Sequence, residues 1–277
     1  MGLRIATNIA SQSVQKNLKE VSNSGNAQLE KLSSGKRITK ASDDAAGLAI
    51  ATNLEAQTKG LRQASRNAND GVSLVQTAEG GLNETSNILV RLRELTIQAA
   101  SDTVGEQERG FLDKEYQQLT KEIDRISEST VFNGSQLLNG KGKGTMDFQV
   151  GAFAGEQNKI TFDSGETDSS SASIGVAGTT ISNKDDALSS ISTIDGAIEK
   201  VSGQRANLGS IQSRLQSTIK NLEVQTINQD SARSVIQDVD VAEASAALAS
   251  NTVVKNAAVS TLAQANQIPN SALRLIG

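Results

Sequence analysis

The sequence predicts a mainly α-helical protein, in which long antiparallel helices pack in a bundle or as coiled-coil-like hairpins, with a small β-hairpin region. Three observations support this fold class: a seven-residue spacing of apolar residues, an aromatic content of only 2%, and a single proline. Hydrophobic residues make up 36% of the chain, against ~45–50% in typical globular domains when Gly is counted. We therefore expect aliphatic side chains packed in long seams and no large compact core.

The seven-residue spacing occurs in both flanks of the chain. One row of apolar residues consists of Leu54, Leu61, Ala68, Val75, Leu82 and Leu89. A second row consists of Ile194, Val201, Leu208, Leu215 and Leu222. Between them, a segment alternates by four and three residues through Leu112, Tyr116, Leu119, Ile123 and Ile126. Sustained spacing of this kind predicts long helices packed side by side.

The ends of these elements carry recognisable signals. Ser42, Asp43 and Asp44 supply capping side chains, which predicts a helix that starts near residue 44 and extends towards residue 100. Apolar and polar residues alternate from Met146 to Val150 and again around Phe162, which predicts a β-hairpin near 145–163. Residues 163–183 are rich in Ser, Gly and Thr, so we expect an exposed loop there, followed by a helix from about Asp185.

The two ends of the chain differ from its centre. Residues 1–40 have an irregular apolar pattern, and residues 241–265 are rich in Ala. Neither end has enough large side chains to offset the backbone entropy of folding, about 1–2 kcal/mol per residue. We therefore expect the two ends, residues 1–43 and 239–277, to order only against partners, and residues 44–238 to form a helical core domain.

The composition argues against several classes of function. The chain contains no His and no Cys, so it has no Ser-His-Asp triad, thiol nucleophile or ordinary zinc site. A glycine-rich segment at 134–141 departs from the phosphate-binding loop pattern, and Asp238, Asp240 and Glu243 form only a fragment of a calcium loop. We predict no enzyme activity, no cofactor and no metal, although a carboxylate enzyme is not eliminated. The net charge of −4 does not indicate nucleic-acid binding, and no apolar stretch reaches the ~18 residues that a membrane span requires.

Several motifs resemble those of bacterial flagellins. The strongest is Lys40-Ala-Ser-Asp-Asp-Ala-Ala-Gly-Leu-Ala-Ile-Ala51 in the N-terminal half. Others are Leu32-Ser-Ser-Gly-Lys-Arg-Ile38, Arg91-Leu-Arg-Glu-Leu95, Glu122-Ile-Asp-Arg125 and Phe132-Asn-Gly134. The C-terminal half adds Ala206-Asn-Leu-Gly-Ser-Ile-Gln-Ser-Arg-Leu215 and Ala263-Gln-Ala-Asn-Gln-Ile-Pro269. The chain resembles a short flagellin that lacks the variable outer domains.

The resemblance implies a structural subunit that polymerises into the flagellar filament and serves motility, with its terminal helices paired in the filament core. The residues expected in these polymerisation helices are Ile5, Ile9, Val14, Leu18, Val241, Leu248, Val259 and Leu262. The family also implies a surface, marked here by Arg91, Leu95 and Glu115, that contacts other subunits or the Toll-like receptor that senses flagellin. An alternative interpretation is that Leu95 is bundle core and the two charged residues are simply solvated.

The implied partners are copies of the chain itself, the flagellar export apparatus, an export chaperone, and the filament cap and hook-junction proteins. We expect an extracellular location, reached by type III export without a cleavable signal peptide, and no insertion into membranes. Two alternatives remain: a hook–filament junction protein of similar terminal design, and a type III secretion filament or translocator component.

Overall fold

The structure, a computed structural model, describes the backbone of residues 7–276 and the side chains of residues 7–267. The α-helices of these described residues are, in chain order, α1 (Ile9–Ser34), α2 (Ala45–Ala100), α3 (Glu106–Ser129), α4 (Ser171–Ile174), α5 (Lys184–Gln237) and α6 (Val241–Ile276). Four short strands lie between α3 and α4: β1 (Val131–Phe132), β2 (Ser135–Gln136), β3 (Thr145–Gln149) and β4 (Lys159–Asp163). The mainly α-helical fold class is confirmed.

The chain divides into two compact units. One consists of residues 1–56 with 228–277, and the other of residues 57–227. Both divisions fall within long helices, α2 and α5, whereas the sequence suggested domain limits near residues 43 and 239, beside helix ends. The second unit is called the central unit below, and the first the terminal unit.

The start of α2 follows the capping signal in the sequence. The Asp44 carboxylate accepts a hydrogen bond from the Gly47 backbone N–H at 2.8 Å, as expected for a residue that caps a helix N-terminus. The preceding Asp43 accepts hydrogen bonds from the backbone N–H groups of Thr39 and Lys40, each at 3.1 Å. Because these bonds favour the charged carboxylate, they lower the pKa of Asp43.

The central unit is a bundle of α2, α3 and α5 with one large, mainly aliphatic core cluster and a small separate cluster of Leu61, Ala64 and Leu222. Helices α2 and α3 are antiparallel, since Arg91 pairs with Glu115 while Arg109 donates a hydrogen bond to the Ala99 carbonyl at 2.8 Å. The seven-residue rows contribute to this core, as expected: ten of their eleven members are at most 4% exposed, and the half-buried Leu54 belongs to the terminal unit. The single tyrosine, Tyr116, is fully buried among them, and its hydroxyl lies 2.6 Å from the Thr179 hydroxyl.

Two antiparallel strand pairs follow α3 in the described part of the chain. The predicted hairpin near 145–163 is present as β3 and β4, with Met146 opposite Phe162 and Phe148 opposite Ile160. The other pair, β1 and β2, is closed by Asn133 and Gly134, both with positive φ, as the two-residue turns of tight hairpins require. The sequence did not predict this hairpin, since Asn133 and Gly134 were noted there only as part of the Phe132-Asn-Gly134 motif.

The prediction that residues 163–183 form an exposed loop is wrong. Ser164, Ser169, Val176 and Ile181 are fully buried, and part of the segment is helix α4. Two aspartates of α3 hold it in place. Asp113 accepts hydrogen bonds from Thr180 and from the Ile181 backbone, and Asp124 accepts two from Ser171, all between 2.8 and 2.9 Å. These bonds satisfy polar groups that would otherwise make burial of a Ser- and Thr-rich segment unfavourable.

Candidate assembly interface

The terminal unit is built around the pairing of α1 with α6. Asn8 caps α1 through its side-chain oxygen, which accepts a hydrogen bond from the Ser11 backbone at 3.0 Å, and its amide donates to the Ala265 carbonyl at 2.8 Å. The Ser11 hydroxyl donates to the Asn266 side chain at 2.8 Å. Ser11 and Ala265 are both buried, so the helices approach closely at this end.

Further contacts fix the register of the two helices. The Asn251 amide donates to the Ser24 hydroxyl at 3.2 Å, and a Cβ at the adjacent Gly25 would lie 4.0 Å from the Asn251 Cβ. Beyond α1, the Gly35 carbonyl accepts a hydrogen bond from Val239 at 3.1 Å, and the Arg37 backbone N–H donates to Gln237 at 2.6 Å. Helices α1 and α6, from opposite ends of the chain, therefore pack against each other within one molecule.

This helix pair has very little core of its own. The buried apolar residues of the described terminal unit are Ile38, Ala51, Ala244 and Ala265. Its exposed large apolar residues are twice as many: Ile9, Leu29, Ile50, Val235, Val241, Val253, Val254 and Val259. Large apolar side chains that stay in water in such number indicate a surface that another protein covers.

One face of α6 carries mainly small apolar side chains. At 3.6 residues per turn, Ala244, Asn251 and Ala265 lie on the side that faces α1, and the opposite side consists of residues spaced by three and four. That opposite side, called the outer face of α6 below, comprises Ala242, Ala246, Ala249, Val253, Ala257, Ser260 and Gln264, all exposed. Between residues 241 and 267 the only charged side chains are Glu243 and Lys255.

The predicted polymerisation residues fall on this helix pair with different exposures. Ile9, Val241 and Val259 are between 50% and 61% exposed. Four others are partly buried: Val14, Leu18, Leu248 and Leu262. Ile5 lies outside the described residues. Val253, which is 68% exposed, was missing from the predicted set, although its position among small residues at helical spacing marks the outer face.

The three residues expected at a contact surface of the central unit separate into two groups. Arg91 and Glu115 are exposed and form a salt bridge at 2.9 Å, and Arg91 also pairs with Glu94 at 3.0 Å. The hydrogen bonds that Arg91 donates to Glu115 and Glu94 stabilise its charged form and raise the pKa of Arg91. Leu95 is only 1% exposed and belongs to the core of the central unit, which agrees with the alternative interpretation for this residue.

The described residues offer little that resembles a reactive centre. No group of three or more His, Cys, Asp or Glu side chains that could hold a metal ion is found among them. Asp240, part of the predicted calcium-loop fragment, instead caps α6 by accepting hydrogen bonds from Ala242 and Glu243. Among the described helices, none combines the length and apolar character that a membrane span needs.

Comparison with known proteins decides the family. Residues 5–143 match the bacterial flagellin N-terminal helical region, and residues 191–276 match the bacterial flagellin C-terminal helical region. The chain belongs to the flagellin family. It is accordingly a structural subunit of the extracellular flagellar filament that polymerises with copies of itself, and it is not an enzyme. The expectations for family, function and the absence of enzyme activity are confirmed.

Curated relatives match almost end to end. A flagellin of Halalkalibacterium halodurans is 42% identical over 269 residues, which cover 97% of this chain and 98% of the relative. A flagellin of Bacillus subtilis is 39% identical, with 99% of this chain and 100% of the relative covered. These proportions agree with a short flagellin of 277 residues.

Solved structures agree on the fold. The crystal structure of Bacillus cereus flagellin is 31% identical with a TM-score of 0.51, and the match covers 57% of this chain and 88% of that one. A putative flagellar hook-associated protein from Vibrio parahaemolyticus reaches a TM-score of 0.58 at 16% identity, with 70% of this chain and 99% of that one covered. At that identity the second likeness supports the fold alone, and it gives no support to the hook-junction alternative.

Proposed function

We propose that this filament subunit polymerises through its α1–α6 helix pair, and that the outer face of α6 is the surface that neighbouring subunits bury. The single observation that carries the proposal is the composition of that face: exposed Ala residues around Val253, on a helix with two charged side chains in its described length. Small side chains permit close approach of a second helix. The solvent-facing side of a helix normally carries charged and polar residues, so an exposed side with few charges favours burial against another protein.

Burial of this face supplies the driving force for assembly. Apolar surface that leaves water contributes about 25 cal/mol per Å², and the terminal unit has more exposed than buried large apolar residues. The same unit gains little from folding alone, so ordering and polymerisation are coupled. Contacts with neighbours complete a core that the single chain leaves open.

Replacement of Val253 by Asn tests the proposal. Val and Asn have similar helix propensities, and Val253 is 68% exposed, so the helix of the monomer should be unaffected. Full burial of a Val side chain contributes about 1.5–3 kcal/mol, of which roughly two-thirds remains to be gained on assembly. We expect Val253→Asn to raise the critical concentration for filament growth about fivefold to thirtyfold.

The control is Thr252→Asn, at the neighbouring exposed position. The Thr252 hydroxyl donates a hydrogen bond to the Leu248 carbonyl within α6. Replacement of the Thr252 side chain therefore leaves the residues of the outer face unchanged. Growth from filament fragments is measured by sedimentation and electron microscopy, and circular dichroism checks that both monomers are equally helical. Equal critical concentrations for Val253→Asn, Thr252→Asn and the unchanged protein would rule out the outer face as the contact.

We further propose that an export chaperone covers this apolar face before assembly, and that the export apparatus, filament cap and hook-junction proteins are the other partners. These proposals rest on the family. Copurification of Val253→Asn and unchanged protein from exporting cells, compared for bound chaperone, tests the first. Sequencing the N-terminus of filament protein tests export without cleavage of a signal peptide.

We also propose that Arg91 and Glu115 contribute to a receptor-contact surface on α2 and α3. Both are exposed and hold each other by a salt bridge, whereas the buried Leu95 acts only by positioning α2. A Toll-like receptor reporter assay compares Arg91→Ala monomer with Arg125→Ala, a control that removes another exposed arginine of a surface salt bridge. An unchanged response to Arg91→Ala would count against the proposal.

A further inference from the structure

The loop that joins β3 to β4 presents an aromatic side chain on a fixed backbone. This hairpin loop, residues 150–158, is closed by a hydrogen bond from Val150 to the Asn158 carbonyl at 2.8 Å. The Gln149 side chain donates to the carbonyls of Gly151 and Phe153 at 3.0 and 2.9 Å. Phe153 is nevertheless 60% exposed. A rigid, exposed aromatic residue has the properties of an interface anchor, because little entropy is lost when it is buried.

A groove of about 420 Å³ lies elsewhere on the central unit. It is formed between α2 and α5 by Arg62, Ser65, Arg66, Glu223, Thr226 and Ile227, and is called the α2–α5 groove below. Five of its six lining residues are polar or charged, so its apolar surface comes from Ile227, which is 64% exposed, and from the aliphatic parts of the other side chains. The volume falls in the range of clefts that bind small ligands, about 300–1,000 Å³, so one aromatic side chain fits within it.

The loop and the groove occupy different sides of α2. Ala152 of the loop packs by Gly60, where an added Cβ would lie 3.3 Å from the Ala152 Cβ, and Asn67 donates to the Gln149 carbonyl at 3.0 Å. At 3.6 residues per turn, Arg62 and Arg66 project well away from the direction of Gly60 and Asn67. One subunit can therefore offer its loop to one neighbour while its groove receives the loop of another.

We propose that Phe153 of one subunit inserts into the α2–α5 groove of a neighbouring subunit. This inference rests on the proposed function, since it assigns one contact within the polymer. The occupant is a second copy because a loop and a groove on different sides of one chain form a heterologous contact, which propagates into an open helical assembly. Such a contact adds to the burial of the outer face of α6.

The chemistry of loop and groove is complementary. The guanidinium group of Arg66 on the groove rim suits the face of the Phe153 ring, since cations bind aromatic rings, and Ile227 supplies apolar contact. The loop also carries the exposed Glu156, which pairs with Lys159 of its own chain at 3.1 Å and is opposite in charge to Arg62 and Arg66. Lys159 beside the loop is likewise opposite in charge to Glu223 in the groove. The loop with Lys159 and the groove therefore each carry one acidic residue and at least one basic residue.

A disulfide test uses the absence of cysteine from the sequence. A chain with both Phe153→Cys and Thr226→Cys is polymerised under reducing conditions and then oxidised. If the two sites meet, denaturing electrophoresis shows a ladder of covalent oligomers, because each subunit is joined to two others. Chains with either substitution alone serve as controls and should give no ladder, since a single cysteine cannot extend beyond a dimer.

A ladder from the double variant supports the proposal. Normal filaments without a ladder overturn it and leave the proposed function standing, because electron microscopy of the same sample reports polymerisation separately. If the cysteine pair blocks filament growth, the charge exchange Glu156→Arg with Arg66→Glu decides. Each substitution alone should raise the critical concentration about threefold to tenfold, and together they should restore it towards the original value. Two independent, unrescued effects would also overturn the proposal.

Discussion

Two adjacent glycines near the middle of α2 offer a test of the packing in the central unit. A Cβ added at Gly80 would meet nothing within 4 Å, whereas a Cβ at Gly81 would lie 2.6 Å from Leu138 Cδ1 and 2.7 Å from Thr130 Oγ1. Leu138 is fully buried, and the Thr130 hydroxyl donates to the Ile126 carbonyl at 2.7 Å, so neither neighbour can move freely.

The two substitutions are expected to have opposite signs. Gly→Ala within a helix stabilises by about 0.5–1 kcal/mol, because the unfolded chain loses backbone freedom. Gly80→Ala should therefore raise the free energy of unfolding by about 0.5–1 kcal/mol. Gly81→Ala has the same effect on the unfolded chain, but it forces a methyl group into a filled site, which lowers the free energy of unfolding by about 1–3 kcal/mol. We expect Gly81→Ala to be less stable than Gly80→Ala by about 1–3 kcal/mol.

Urea unfolding of monomeric protein, followed by circular dichroism, measures the difference. Midpoints should move in opposite directions while the slope of the transition stays constant. Leu138→Ala in the Gly81→Ala background makes room for the new methyl group, so the two changes should cost less together than the sum of each alone. Equal stabilisation by both glycine substitutions would refute the close packing of residues 130–138 against α2.

Three further predictions concern the buried tyrosine, acid stability and the chain ends. Tyr116→Phe should lower the free energy of unfolding by about 1 kcal/mol, because the hydroxyl group loses its hydrogen bond. Burial raises the pKa of Tyr116, so the stabilising effect of the neutral tyrosine holds at neutral pH and is lost as the pH rises through the folded-state pKa. Tyrosinate absorbance should therefore appear together with unfolding. The hydrogen bonds from Thr39 and Lys40 lower the pKa of Asp43, so the stabilising contribution of Asp43 should be lost as the pH falls through the lower folded-state pKa. The protection of the Thr39 amide, measured relative to its intrinsic exchange rate, should then fall in acid, and in Asp43→Ala it should be low at every pH. Deletion of residues 1–40 or of residues 241–277 should abolish filaments and leave a helical monomer, which electron microscopy and circular dichroism together would contradict if either truncated protein assembled normally.

The long helices were predictable because the regular spacing of aliphatic residues along the sequence indicates which side of each helix is buried. The row from Ile194 to Leu222 is buried at all five positions, since one side of α5 faces the bundle throughout that length. The capping role of Asp44 was equally visible, because a cap depends only on residues within one turn. Information of this kind is local in the sequence and needs no knowledge of the partner element.

The segment at 163–183 could not be predicted in the same way. Its Ser and Thr residues have the composition of a loop, and its burial depends on Asp113 and Asp124, which lie far away in the sequence on α3. The outer face of α6 was missed for a different reason. Its Ala residues contribute little to any hydrophobic pattern, and Val253 appears significant only when the position of α1 shows which side of the helix is left open.

The distribution of large buried side chains separates folding from assembly. The largest fully buried residues all belong to the central unit: Tyr116, Phe162, Leu82, Leu89, Leu92, Leu95, Ile123, Leu137, Leu138, Ile181, Ile194 and Leu208. The described terminal unit buries Ile38 and three Ala residues, and it leaves the four valines of α6 exposed. A subunit that used its large side chains for its own terminal core would have little apolar surface left to bury against neighbours. Under the proposed mode of assembly, the weak core of the terminal helices leaves apolar surface to be buried between subunits, whereas the central bundle has a large core of its own.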